Sequence, residues 1–390
     1  MEFSLAEEQQ QMQDSLRRYL EKSYTFDDHR AQLKSSDKST GIHWQAFAEF
    51  GLLGIGIPDD CGGLGDTTSV SGEGVFSEDT MIVMASIGRS LMVTPYLATV
   101  VLCGSVLRQL KTNIDCAAAL AAIAAGEKKM ALATYERQGR YQLSHVATTA
   151  TLTADGYILS GTKTVVIHGD VADSLVISAR IKNTVSDKQG IALFLVDKNT
   201  PGLTVRGYAT NDGMSAADLS FAALHLPAAA MISDDGYPIL ERAIGYGIAA
   251  LCAEAVGAME ALNEQTLEYS KNRKQFGVAI GTFQALQHRM VDMFIATEQA
   301  RSITILVALK AGSRDDEQRD DERRKVIAAA KALVGQSARY VGQQAVQLHG
   351  GMGVVDELAI SHYFKRLTAI DMTFGDSHYQ RGQLGELLAA

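Results

Sequence analysis

The sequence predicts a multidomain α+β fold: an N-terminal α-helical domain over residues 1–128, a middle β-sandwich or barrel over 129–235, and a C-terminal four-helix bundle over 236–390. Apolar residues recur at three- and four-residue steps at both ends of the chain, the mark of helices with one buried face. The central hundred residues instead hold short runs of Val, Ile, Leu and Thr, cut by Gly, Asp and Pro, the mark of strands and turns. With 390 residues the chain can bury a large core and divide it into two or three subdomains.

At the N-terminus Ser4 is a candidate cap, with Glu7 closing a capping box, and a helix runs toward Ser23. Further helices are expected at Trp44–Phe50, Met81–Ser90, Pro95–Leu110 and Cys116–Ala125. The Gly51–Pro58 segment contains a G-x-G, but position 59 is Asp and no helix opens there, so a dinucleotide-binding turn is rejected. Strands are expected at Met130–Thr134, Val146–Leu152, Tyr157–Leu159, Lys163–Ile167, Leu175–Ala179, Ile191–Val196 and Leu219–Leu226. From about Tyr237 four long helices follow. The first buries Leu240, Ile244, Ile248, Leu251, Ala255, Met259 and Leu262. A later one buries Ile327, Ala330, Val334, Ala338, Val341, Ala345 and Leu348. The charge run Arg314–Arg324 reads as a solvated loop and helix start.

Composition excludes several classes. A net charge of −9 argues against a nucleic-acid protein. Four scattered cysteines, Cys61, Cys103, Cys116 and Cys252, give neither a metal-site nor a disulfide pattern; free thiols in a reducing cytoplasm are expected. The polar N-terminus MEFSLAEEQQ is unlike a secretory signal, and no apolar run has the length of a membrane span.

Two stretches carry chemistry. Arg273-Lys274-Gln275-Phe276-Gly277 joins two helices, and Gln347-Leu348-His349-Gly350-Gly351 closes a third, where glycines stop the helix and let a ligand approach the backbone. Basic residues in a last helical turn also offset the helix dipole, which is the ordinary reading of Arg273 taken alone. Together the stretches resemble the acyl-CoA dehydrogenase family. So do Trp44–Gly65, with G-L-L-G-I-G-I-P and G-G-L-G, and the Asp155-Gly156-Tyr157-Ile158-Leu159-Ser160-Gly161-Thr162-Lys163 hairpin.

The resemblance implies the acyl-CoA dehydrogenase fold, with FAD-binding and oligomerisation elements in the C-terminal part. It implies oxidation of an acyl-CoA thioester to its α,β-unsaturated form, with FAD as cofactor and electron-transfer flavoprotein as acceptor. Arg273, Gln275, Phe276, Gln284, Gln347, Gly350 and Gly351 then correspond to residues that hold the diphosphate and adenine of a neighbouring subunit's FAD.

The rest of the family's machinery is eroded. The general base is a glutamate near the C-terminus in most members; aligned through Gln380-Arg381, that position is Phe374. Other members place it on the first long C-terminal helix, where this chain has Gly247. Glu241 lies six residues away, about 240° around the helix. Asp376 remains as a displaced-base candidate, or as the cap of a turn. The loop that contacts flavin and CoA keeps only Thr134 and Gly139, and the flavin-lining strand reads Val165-Val166-Ile167-His168, without its tryptophan and threonine. His168 reads as structural. The closer resemblance, carried also by His362–Thr368 and Phe374-Gly375-Asp376, is to the small subunit of heteromeric acyl-CoA dehydrogenases such as pimeloyl-CoA dehydrogenase and the steroid side-chain enzymes. It implies a catalytic partner subunit in an α₂β₂ assembly. A self-sufficient homo-oligomer using Asp376, and a flavin-free assembly protein on the same fold, are the other two readings.

Overall fold

The computed structural model describes residues 5–35, 41–64, 78–311 and 317–389. It divides into two compact units, Met1–Lys34 with Ser69–Val93 and Ile248–Ala390, and Ser35–Thr68 with Thr94–Gly247. The first gathers the outermost N-terminal helices with the C-terminal ones; the second gathers the remaining N-terminal helices with the strands.

The second unit begins with α3 (Gly41–Glu49) and ends in the first turns of a long helix; α1 (Glu7–Ser23) and α2 (Phe26–Lys34) precede it and α4 (Glu78–Ser90) interrupts it. Its Gly51–Gly63 segment is a tight, buried turn: Gly51 and Gly56 take left-handed φ angles of 74° and 71°. A Cβ on Gly63 would lie 2.1 Å from the Ile57 carbonyl oxygen. This is a structural role, as expected, although Gly65 lies outside the described residues. The helix expected over Pro95–Leu110 instead opens with a buried π-helical stretch, Leu97–Cys103, before α5 (Gly104–Gln109). There the Thr99 hydroxyl donates to the Met130 carbonyl and accepts from the Met130 N–H, tying the stretch to the first strand. After α6 (Ile114–Ala124) come β1 (Met130–Ala133), β2 (Thr149–Thr153), β3 (Gly156–Ile167), β4 (Ser174–Arg180), β5 (Ile191–Asp197), β6 (Leu203–Ala209), β7 (Ser215–Pro227) and β8 (Met231–Ser233).

These strands form one sheet in the order β6-β7-β3-β2-β4-β5-β8, with β1 parallel to β4. It wraps a single core that includes Leu159, Val166, Ile177, Phe194, Leu219 and Phe221. The two runs expected at 157–159 and 163–167 are one strand, kept together across register shifts after Leu159 and Lys163. β6 and β8 were not predicted. β6 is an edge strand with only Leu203 and Val205 packed on the core, and β8 has three residues. Neither offers enough apolar alternation to stand out.

In the first unit α1 opens at Glu7, so Glu7 is its first residue rather than the far end of a box. The return bond comes from Gln9, whose Oε1 accepts from the Ala6 N–H at 3.1 Å; Ser4 lies outside the described residues. α2 has no apolar period and buries chiefly His29, which is why the sequence did not reveal it. The C-terminal helices are α7 (Gly236–Asn272), α8 (Gln284–Ala311), α9 (Glu317–His349), α10 (Ala359–Met372) and α11 (Ser377–Ala389), three long and two short. Arg314, in the predicted charge run, lies outside the described residues. The expected apolar faces of α7 and α9 are buried throughout.

Where α4 crosses α7, a Cβ on Gly88 would come within 1.9 Å of the Glu254 carbonyl oxygen, and one on Gly257 as close to that of Ala85. Glycine alone lets these backbones touch. Nearby the buried Glu254 carboxylate accepts two bonds from Arg366 of α10, at 2.6 and 2.8 Å. Such a pair costs several kcal/mol if one partner is lost, because a bare charge stays behind. No described helix is long and apolar enough to cross a membrane.

Candidate active site: an exposed corner where α7 and α9 end

α7 ends at Asn272, and the chain reverses through a hairpin of β9 (Lys274–Gln275) and β10 (Val278–Ala279), with Gln275 opposite Val278. The two loop residues, Phe276 and Gly277, have φ of 53° and 83°. Positive φ at both positions is the type I′ geometry that suits a two-residue hairpin. Glycine adopts it freely; for phenylalanine it costs about 1–2 kcal/mol. The Phe276 ring is nevertheless 92% exposed, meeting Phe283 edge-on at 6.2 Å. A strained backbone that holds an aromatic face out in solvent suits recognition of something outside the chain.

Arg273 fixes the hairpin's base through its backbone: its N–H donates to the Tyr269 carbonyl and its carbonyl accepts from the Ile280 N–H, both at 2.8 Å. Arg273, Gln275 and Gln284, the first residue of α8, are exposed, and the Gln275 side-chain amide donates to the Lys274 carbonyl at 2.8 Å.

The end of α9 meets this corner. The Tyr269 ring stacks on the His349 imidazole, centroids 4.2 Å apart and planes 26° apart, and its hydroxyl donates to the His349 carbonyl at 3.4 Å. His349 Nδ1 donates to the Ala345 carbonyl at 2.8 Å, and burial holds the imidazole below the usual histidine range, so it is a neutral brace. Two residues earlier, Gln347 is exposed. Gly350 follows with φ 60°, and a Cβ on Gly350 or on Gly351 would meet nothing within 4 Å. Packing within the chain therefore does not demand glycine at 351, unlike Gly353, where a Cβ would lie 2.6 Å from the Val346 carbonyl oxygen. The structure thus brings the hairpin, the start of α8 and the Gly350-Gly351 turn to one corner. A guanidinium, exposed amides, an aromatic face and bare backbone fit the anionic adenosine-diphosphate end of FAD. Sequence reasoning gave no role to the Tyr269–His349 stack, since a contact across eighty residues leaves no local signal.

The turn between α10 and α11 is built differently. Phe374 is 8% exposed with φ 59°, and Gly375 has φ 101°. The Phe374 carbonyl accepts from Gln380 Nε2 at 2.8 Å. Lys331 of α9, fully buried, donates from Nζ to the carbonyls of Asp371 (2.6 Å) and Gly375 (2.9 Å), and burial pushes its ammonium down to about 8. The Asp371 carboxylate accepts from the Ser377 N–H and pairs with Arg339. Asp376 Oδ1 accepts from the N–H groups of His378 (3.0 Å) and Tyr379 (2.8 Å), an N-cap on α11. Gly247 is a buried residue inside α7, and Glu241 accepts from the Tyr237 hydroxyl at 3.1 Å.

In the sheet unit the loop after β1 is pinned from inside. Glu136 accepts from the N–H groups of Ala147 (2.7 Å) and Thr148 (3.0 Å) and from Lys163 Nζ (2.8 Å), which also donates to the Thr134 carbonyl and the Ser178 hydroxyl. Burial would raise the Glu136 carboxyl, but the Lys163 charge and these bonds outweigh it and hold it low; burial pushes Lys163 down to about 8. Val165 sits on the register shift with φ 53°, its side chain 55% exposed. His168 is buried, its backbone N–H donating to the Ser215 carbonyl at 2.9 Å. Among the described residues no cluster of His, Cys, Asp and Glu could hold a metal ion.

Models of the acyl-CoA dehydrogenase N-terminal, middle and C-terminal domains match residues 6–127, 131–226 and 234–389. The chain belongs to the acyl-CoA dehydrogenase family. A curated relative, the probable acyl-CoA dehydrogenase YngJ of Bacillus subtilis (strain 168), is 27% identical over 387 residues, covering 98% of both chains. Among solved structures, a variant of the Tcur3481-Tcur3483 steroid ACAD superposes with a TM-score of 0.84 at 28% identity, covering 99% of each chain. The FAD complex of PigA does so with a TM-score of 0.84 at 25% identity, covering 100% of this chain and 99% of that one. The family's fold is therefore the fold of this chain, and its chemistry is that of oxidoreductases acting on CH–CH bonds. Family neighbours such as PigA are FAD flavoproteins.

Proposed function

We propose that this chain is the base-lacking subunit of a heteromeric, FAD-dependent acyl-CoA dehydrogenase, completing the FAD site of a catalytic partner in an α₂β₂ assembly. The observation that carries the reading is Phe374. By the alignment through Gln380-Arg381 the position of the family's usual base holds Phe374, which is buried, and the alternative position holds Gly247, while the corner we assign to a neighbour's FAD keeps its polar groups on the surface. Arg273 would hold the diphosphate, Gln275, Gln284 and Gln347 would hydrogen-bond the adenosine end, Phe276 would lie against it, and Gly350 and Gly351 would give it access to backbone. Bound FAD supplies the hydride acceptor for the acyl β-carbon. The α-proton goes to a carboxylate of the partner, because Phe374 has no atom to take it.

The substrate class is an acyl-CoA thioester carrying a fatty-acyl or steroid side chain, a reading supported by the relative named as a steroid ACAD. Electron-transfer flavoprotein is the acceptor we infer. Buried, unbridged Cys61, Cys103, Cys116 and Cys252 suit a reducing, cytoplasmic setting. Asp376 as a displaced base is opposed by its two capping bonds.

Expression of the chain alone and together with a complete acyl-CoA dehydrogenase subunit encoded beside it tests the reading. Colourless, inactive protein alone and a yellow, active complex are expected. Yellow protein active without a partner would sink the proposal, and a complex that stays colourless would point to an assembly protein instead.

A further inference from the structure

A cavity of about 790 Å³ lies wholly within the first unit, bounded by described residues of α1, α4, α7, α8 and α10. Sites for small organic molecules measure roughly 300–1,000 Å³. The proposed dehydrogenase role does not use this one: neither the Arg273 hairpin nor the turn around Phe374 contributes a lining residue. Where Gly88 and Gly257 bring α4 and α7 together, the lining residues are short: Ala85, Ala253, Val256 and Ala261. Longer apolar chains line it as well, Leu20 of α1, Met81 and Ile82 of α4, and Ile305 and Leu309 of α8. Water gains little from such walls, so an apolar guest is favoured.

The polar groups decide what the guest carries. Each of the three guanidiniums that line the cavity already holds a carboxylate. Arg17 donates to Glu21 Oε1 at 2.8 Å, and Arg89 donates to both carboxylate oxygens of Glu264. Arg301 donates to Glu260 Oε1 at 2.8 Å and pairs with Glu298 at 3.3 Å. Hydroxyls are engaged too: Ser86 donates to the Ile82 carbonyl, Thr304 to that of Ala300, and Tyr363 to that of Arg89. Against the three guanidiniums stand five carboxylates, Asp14, Glu21, Glu78, Glu260 and Glu264. An anionic guest meets this excess of negative charge, and a cationic one relieves it. Glu260 is the most enclosed of the paired acids, its side chain 28% exposed against 60% for Glu21 and 61% for Glu264. Burial raises its carboxyl in spite of the Arg301 and Arg89 charges, so its ionised form is under-solvated.

We propose that this cavity binds an amphipathic amine, its aliphatic or alicyclic body against α1, α4 and α8 and its ammonium on Glu260. The ammonium donates to the Glu260 carboxylate, a charge-assisted bond that a hydroxyl matches only in part and a carboxylate not at all. The selectivity is therefore by charge: the same body is taken up less well as an alcohol and rejected as an acid. Acyl-CoA and free fatty acids, which are anions, are not ligands of this cavity.

Calorimetric titration of the intact chain, purified as it assembles, with decylamine, decanol and decanoate tests the proposal, each probe kept below the concentration at which it self-associates. One site per chain is expected, with decylamine binding about tenfold or more tightly than decanol and decanoate not saturating. Glu260→Gln removes the charge at nearly constant size, so decylamine should fall to the affinity of decanol while decanol is unchanged. Ala85→Leu, which puts bulk into the cavity, should weaken both. Decanoate binding as tightly as decylamine overturns the proposal, as does the absence of saturable decylamine binding. A Glu260→Gln chain that keeps the advantage of the amine overturns it as well. Should Glu260→Gln fail to fold, Ala85→Leu decides, and an unchanged decylamine affinity there removes the ligand from this cavity. Should neither variant fold, the order of decylamine and decanoate on the wild-type chain decides.

Discussion

Tyr269, in the last full turn of α7, stacks on His349, the last residue of α9, and thereby sets the Arg273 hairpin beside the Gly350-Gly351 turn. Two segments separated by eighty residues of chain become one surface through this contact. An aromatic pair contributes about 0.5–1.5 kcal/mol beyond the area it buries. Tyr269→Ala is expected to lower stability by about 1–2 kcal/mol and to weaken flavin retention in the assembled complex. Tyr269→Phe keeps the stack and loses only the long hydroxyl bond, so its flavin content should match the wild type. Denaturant titration and flavin absorbance check both; equal flavin loss in the two variants would mean that the hydroxyl matters rather than the stack.

Arg273→Ala is expected to leave the fold intact, because the hairpin is held by the residue's backbone and the residue is exposed. A charge-assisted bond to a diphosphate contributes about 1.5–3 kcal/mol, so FAD affinity should fall roughly 10- to 100-fold. Arg273→Lys should recover part of the charge and little of the bidentate geometry. Fluorescence titration of the reconstituted complex with FAD measures this, and an unchanged affinity in Arg273→Ala would remove the residue from the site.

Much of this arrangement was legible in the sequence, because helices with a long buried face write their period into the chain. The faces of α7 and α9 were read residue by residue from Leu240 and Ile327 onward. The geometry of the candidate corner was legible where it depends on local chemistry: a Phe-Gly pair at a reversal, two glycines after His349. Illegible were features that rest on contacts distant in sequence or on too few residues. Gly88 and Gly257 look like ordinary helix-weakening glycines until their backbones are seen to touch. β6 carries only two inward side chains, and α2 hides its purpose in one histidine. Lys331 and Lys163 are both buried and hold carbonyls and a carboxylate in place, contacts that no local pattern announces.

Asp376→Asn separates a cap from a base. Asparagine caps a helix about as well as aspartate, so stability should change by less than about 0.5 kcal/mol. If the carboxylate only caps α11, turnover of the complex should stay within about twofold of the wild type. A general base contributes roughly 10²–10⁴-fold, and a loss on that scale would make this chain catalytic in its own right.

The stoichiometry of FAD gives the most direct test of the division of labour. In the proposed heterodimer each flavin is gripped twice, its ring by one subunit and its adenosine end by the other. The corner around Arg273 is, on the proposed reading, the part of this chain that would complete a partner's FAD. For a flavin of its own, this chain would offer Val165, exposed on an irregular strand, where the family has an aromatic ring. It would offer Ile167 in place of a hydroxyl, and Phe374 in place of the base. An apolar side chain without a donor cannot hold the polar edge of a ring against solvent, and the polar atoms left unpaired there would each cost about 1–3 kcal/mol. Each pair of chains should then retain about one FAD rather than two, the assembly binding at one of its two kinds of site. Flavin absorbance at its visible maximum, set against protein concentration from amino-acid analysis, measures the ratio on the purified complex. One FAD per chain would show that Thr134 and backbone groups suffice to seat a ring in this subunit, and the reading of it as a one-sided partner would fall.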